Sequence, residues 1–160
     1  MTKKYTPPFL GAAYYPEDWP VSEIPYDIQK MKEAGINVAR IGEFAWSRME
    51  PAPGCYDFGW LHHVVDTLAD NGIAVVMGTP TATPPKWLSN RHPDIMSVNA
   101  ADRRASHGGR RHCCSNNVHY RQASAKIVEA MAREFGADEN IIGWQIDNEI
   151  YSWDGCYCPD

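Results

Sequence analysis

The stretch that decides the fold is Ile141-Ile142-Gly143-Trp144-Gln145-Ile146-Asp147-Asn148-Glu149. Ile141, Ile142, Trp144 and Ile146 supply the apolar side chains that a short buried strand needs for its covered faces. Continuing that strand through Asp-Asn-Glu would bury carboxylates, which costs several kcal/mol or forces each group to take up a proton. The strand is therefore expected to end there. Its C-terminal tip is either polar punctuation facing solvent or a place where chemistry is done.

Working outward, the same logic divides the rest of the chain. Upstream, the spacing predicts a helix over 118–135 with Ile127, Val128 and Met131 inward and Gly136 as its stop. Before it comes a long irregular segment, 79–117, of the length that is usually functional inside a compact domain. Ile73-Ala74-Val75-Val76-Met77-Gly78 is too continuously apolar to face water and reads as a strand. Leu61, Val64, Val65 and Leu68 form the core stripe of a helix that Asp57 can cap. Val38-Ala39-Arg40-Ile41-Gly42 is another strand, and Ile24, Ile28, Met31 and Ala34 mark a helix over 24–34. Phe9-Leu10-Gly11-Ala12-Ala13-Tyr14 is the first strand, ended by the prolines of the loop that follows.

Strand and helix thus alternate from end to end, which implies parallel pairing with right-handed crossovers. No G-x-G-x-x-G follows the first strand, so a dinucleotide-binding fold loses ground. The conspicuous polar and aromatic residues follow the strands, as they do at the C-terminal face of a (β/α)₈ barrel. A complete barrel of that kind takes about 250 residues. The expectation for residues 1–160 is the N-terminal half of such a TIM barrel, about four βα units in one catalytic domain.

With 160 residues and 44% hydrophobic content the chain can build a real core. Its net charge of −5, without any basic face, argues against a nucleic-acid partner. Met1-Thr2-Lys3-Lys4-Tyr5 leads into no apolar segment, so neither a secretory leader nor a membrane span is expected, and a cytoplasmic location is the default. Five cysteines, an odd number, disfavour a complete disulfide framework and favour reduced or metal-bound thiols. Cys55 has no partner pattern and is expected to be a small buried residue.

Four segments stand out together: Ala13-Tyr14-Tyr15-Pro16-Glu17-Asp18-Trp19-Pro20, Arg40-Ile41-Gly42-Glu43-Phe44-Ala45-Trp46, 79–88 (TPTATPPKWL) and Trp144-Gln145-Ile146-Asp147-Asn148-Glu149. In this order they resemble the β-galactosidases of glycoside hydrolase family 42. The resemblance implies a retaining enzyme acting on β-galactoside oligosaccharides, with Glu149 as acid/base and Asn148 hydrogen-bonding the sugar beside the scissile bond. It also implies a galactose subsite lined by Arg40 and by an arginine of the long segment, Arg110, with the adjacent Arg111 able to take that role. Arg40 could equally be a structural partner of Glu43. Glu43, Trp46 and Trp87 are expected to be structural, or to support the residues that touch the sugar, rather than to touch it themselves. The nucleophile would be a Glu on a later strand, outside this chain.

A retaining glycosidase needs two carboxyl groups about 5–5.5 Å apart, one of which donates a proton to the leaving oxygen and then acts as base toward water. Strict strand alternation would put Asn148 and Glu149 on opposite faces. Both reach one sugar only if the pleat has already broken down. Related β-glucosidase or β-mannosidase specificities, or a non-catalytic carbohydrate- or metal-binding barrel, are the alternatives.

Thiolates clustered in a reduced compartment suit tetrahedral zinc. Some members of the resembled family carry a four-cysteine site, which here implies Cys114, Cys156 and Cys158 as ligands, a fourth beyond Asp160, and Cys113 as a competing neighbour. The family's frequent trimers make a homo-oligomer an expectation, although no surface for one is recognisable in the sequence.

Overall fold

A computed structural model describes residues 4–150 and 155–159. Met1 to Lys3, on which part of the N-terminal reading rests, lie outside the described residues, as does Asp160. Four strands, β1 (Gly11–Ala13), β2 (Val38–Ile41), β3 (Ala74–Gly78) and β4 (Ile141–Gln145), form one parallel sheet in the order β1-β2-β3-β4. Each strand is the immediate neighbour of the one before it, with no reversal of order. Crossovers of one hand that always step in one direction put every helix on the same face of the sheet. That is the construction of half a (β/α)₈ barrel, and it distinguishes this sheet from a doubly wound one.

Among the described residues there are five α-helices: α1 (Ile24–Glu33), α2 (Trp46–Met49), α3 (Gly59–Asp70), α4 (Lys86–Arg91) and α5 (Val118–Phe135). Their apolar stripes meet the outward residues of the sheet in one cluster. It holds Ile28, Leu61, Val65, Leu68, Ile127 and Met131 against Ala39, Ile41, Val75 and Met77, most of them wholly inaccessible. The opposite face carries Val38, Arg40 and Val76 and forms an open concavity with Gly11, Ala12 and Ala13. Arg40 thus stands on the concave side because it alternates with two core residues, Ala39 and Ile41.

Several expected boundaries shift. The first strand contracts to three residues, all exposed. The 79–117 segment is less irregular than expected, since a 3₁₀ turn at Pro80–Ala82, α4 and a second 3₁₀ turn at Pro93–Ile95 punctuate it. Prolines at the start of each turn hid these short pieces. They supply the fixed φ of a helical N-terminus while reading as breakers. Cys55, expected to be buried, is exposed. It closes the tight turn after Ala52, with its N–H on the Ala52 carbonyl at 2.9 Å, so its side chain points away from any core. The expectation for the helix over 118–135 matches α5 residue for residue. No helix among the described residues is long and apolar enough to cross a membrane.

Candidate active site

The loops after β1, β2 and β4 and the long segment after β3 converge at the C-terminal edge of the sheet. Near the start of β4 the pairing contains a bulge: Val75 faces Ile141 but Val76 faces Gly143, so Ile142 is the extra residue. Pairing ends at Gln145, and Asp147 and Glu149 then take left-handed backbone conformations, with φ of 59° and 45°. These are uncommon for residues with a Cβ. The pleat has indeed broken down before Asn148 and Glu149. The two side chains are nonetheless placed differently, Asn148 buried and Glu149 largely exposed.

Hydrogen bonds hold this unusual tip. The Asp147 N–H donates to Thr79 Oγ1, and the Asn148 N–H donates to Asp147 Oδ1 at 2.7 Å. Gln145 Nε2 donates to the Asp147 carbonyl at 2.9 Å and to Asn148 Oδ1 at 3.0 Å. The Asn148 amide nitrogen is buried without a partner among the described residues.

The two adjacent arginines divide the work between them. Arg111 Nη1 pairs with Asp147 Oδ2 at 2.7 Å and also donates to the Asn148 carbonyl at 3.3 Å. Arg110 Nη2 pairs with Glu149 Oε2 at 2.9 Å, with both side chains more than half exposed. The Arg110 guanidinium also sits 5.7 Å over the ring of Phe44, which stacks on Tyr15 at 5.6 Å. Sequence reasoning missed this aromatic bridge. Its signal was present, since Tyr15 and Phe44 each follow a strand within the quoted motifs.

Arg40 stands apart from Glu149, and no contact joins them among the described residues. Its Nε lies 2.8 Å from Glu43 Oε1, while 37% of the Arg40 side chain stays exposed and Glu43 is fully buried. Burial works against the arginine's charge, but Glu43 and the Tyr15 hydroxyl more than offset it and hold the guanidinium above its ordinary value. Both alternatives for Arg40 therefore meet in one residue: it is paired structurally, and it still faces the concavity. Trp46 and Trp87 are structural, as expected. Trp46 Nε1 donates to Glu50 Oε2 at 2.7 Å and Trp87 Nε1 to the Glu50 carbonyl at 2.9 Å.

Beside this edge lies a thiol cluster. The sulfurs of Cys114, Cys156 and Cys158 lie within 4.8 Å of one another. Cys158 is 3.2 Å from Cys156 and 3.3 Å from Cys114. Burial pushes the Cys156 thiol up, but the Val98 N–H and the neighbouring thiols more than offset this and leave it below its ordinary value. Cys113 has no share in the cluster. Its backbone bridges to Met96, and burial pushes its thiol up to about 12. Three convergent soft donors, one of them biased toward thiolate, fit a thiophilic metal ion.

Comparison with known proteins agrees with this architecture. A family model described as β-galactosidase, glycoside hydrolase family 42, matches residues 13–160. The β-galactosidase of Thermus thermophilus is 48% identical over 152 residues, covering 94% of this chain and 24% of that protein. β-Galactosidase YesZ of Bacillus subtilis is 48% identical over 142 residues, covering 89% of this chain and 21% of that protein. Among solved structures, a β-galactosidase from Halorubrum lacusprofundi superposes with a TM-score of 0.88 at 39% identity, covering 94% of this chain and 23% of that one. The chain spans about a quarter of the length of the relatives it matches. Its strands, its convergent loops and the extent of the match place it together: the chain belongs to glycoside hydrolase family 42, the β-galactosidase family.

Proposed function

We propose that this chain is the N-terminal part of a retaining β-galactosidase that removes terminal non-reducing β-D-galactosyl groups by double displacement. Glu149 is the proton donor to the leaving glycosidic oxygen and then the base that activates water. The nucleophilic Glu lies on a later strand, outside this chain. Arg40, Arg110 and Asn148 bind the galactosyl group, Asn148 through its unpaired amide nitrogen. The observation that carries this reading is the pair Arg110–Glu149 at the broken tip of β4, at 2.9 Å. A cation there fixes the carboxyl at the C-terminal edge of the sheet, the edge on which the loops converge.

Cys114, Cys156 and Cys158 would hold a structural zinc ion, with the fourth ligand outside this chain. Bound there, zinc would supply rigidity and no chemistry of its own. Reduced thiols in this arrangement suit a cytoplasmic protein. A homo-oligomer, such as a trimer, belongs to the same proposal.

The decisive experiment is Glu149→Gln in the full-length protein with an aryl β-galactoside as substrate. Loss of the general acid/base is expected to lower kcat by about 10²–10⁴-fold while galactose binding survives. Undiminished turnover, or a preference for glucosides or mannosides over galactosides in the unaltered protein, would overturn the assignment.

A further inference from the structure

Glu43 is costly to bury where it is. Its side chain has zero exposure, yet only one of its oxygens has a partner, Arg40 Nε at 2.8 Å. The other, Oε2, is buried and unpaired among the described residues. Room has been made for it. A Cβ on Gly78, at the end of β3, would lie 2.6 Å from the Glu43 Cβ and 2.9 Å from its Cα and its backbone nitrogen. Gly42, just before it, turns the chain at φ 89°, a conformation that disfavours any other residue. A glycine thus stands directly after β2 and another at the end of β3, where Glu43 has to fit. A buried carboxylate held this tightly is poor evidence of stability, because desolvation offsets most of the attraction.

We propose that Glu43 is a positioning residue for Arg40. It takes the Nε edge of the guanidinium and so commits the two terminal nitrogens to the concave face. An arginine on a strand otherwise has several staggered rotamers to choose from. Gripped at Nε, it offers a fixed fork suited to two sugar hydroxyls, the planar two-point recognition that a lysine lacks. The neighbours fit this. Tyr15 borders the same guanidinium, and Phe44, next to Glu43, is the ring on which Tyr15 stacks and over which Arg110 sits. Glu17 does not compete for Arg40, since both its oxygens are buried and none of them reaches the guanidinium.

This inference rests on the proposal that Arg40 binds the galactosyl group. It is tested with Glu43→Gln, Arg40→Ala and the double variant in the full-length protein, following kcat/KM for an aryl β-galactoside and the affinity for galactose by tryptophan fluorescence. Glu43→Gln alone is expected to lower kcat/KM and galactose affinity at least tenfold, and in the Arg40→Ala background to change each less than twofold. Should Glu43→Gln not fold, Arg40→Lys serves instead. It keeps the charge but removes Nε, and is expected to lose at least tenfold in the same two measurements. A loss from Glu43→Gln that persists in the Arg40→Ala background, or wild-type behaviour of Arg40→Lys, overturns the positioning role. Absence of β-galactoside cleavage by the unaltered full-length protein would instead overturn the proposed function on which the inference rests.

Discussion

Glu17 shows how a single buried group sets a pH window. Burial pushes its carboxyl from the usual 4.5 up to about 7, Asp18 and Glu43 push the same way, and Arg48 opposes them. The unfolded chain ionises this carboxyl near its ordinary value, whereas the folded chain holds the proton to near neutrality. Folding is therefore unpenalised by Glu17 below about 4.5, loses stability as pH rises from there to about 7, and stays at the lower level above. Glu17→Gln cannot ionise and escapes this loss. Thermal melts are expected to show the variant gaining on the wild type between pH 4.5 and 8, by at most about 3 kcal/mol. A difference that does not change with pH would show that Glu17 is not held neutral. No property of the sequence around Tyr15-Pro16-Glu17-Asp18 announces this, because burial of Glu17 comes from loops that meet only in the fold.

At the scale of an element, α5 is the clearest case of a helix specified by its own residues. Asn117 precedes it, and its Oδ1 accepts from the N–H groups of His119 at 3.0 Å and Tyr120 at 3.3 Å. Its Nδ2 reaches back to Asp94 Oδ2 at 2.9 Å, so the cap also ties the helix to the segment after α4. Asn117→Ala is expected to destabilise the protein by about 1–2 kcal/mol in urea titration, whereas Asn117→Asp should keep the cap but exchange the tie to Asp94 for repulsion between two carboxylates. An unchanged midpoint for Asn117→Ala would contradict this. α5, α3 and the strands β2 to β4 were legible because their apolar residues recur at the period of the structure they form. The tip of β4 was legible in part. Its polar residues predicted a break in the pleat, but the left-handed backbone of Asp147 goes with contacts from Thr79 and Arg111, which arrive from elsewhere in the chain. The short helices α2 and α4 were not legible, since four and six residues are too few to show a period. The choice between Arg110 and Arg111 also lay beyond the sequence. Arg111 takes φ 58°, and that turn sends the two neighbouring side chains to different carboxylates.

Across the whole molecule, the thiol cluster connects parts that the sheet does not. Cys114 belongs to the long segment that carries Arg110 and Arg111, while Cys156 and Cys158 follow β4. The Tyr157 N–H donates to the Val98 carbonyl at 2.9 Å and the Val98 N–H to Cys156 Sγ at 3.3 Å, so the two stretches are also laced by backbone. If zinc occupies the cluster, a chelator should lower the Tm of the full-length protein and speed hydrogen exchange over residues 96–114, and Cys158→Ser should do the same without chelator. A protein that contains no zinc and whose melting is indifferent to chelator would remove the metal from the account. The sheet itself has a different consequence. Among the described residues β1 pairs only with β2, and β4 only with β3, so each flank of the sheet keeps a row of amide and carbonyl groups with nothing to bond. A semicircle of this kind is adhesive on two sides. Made separately, it invites a complementary arc to close the circle, and split-protein reconstitution would exploit the same stickiness that makes it a poor solitary molecule.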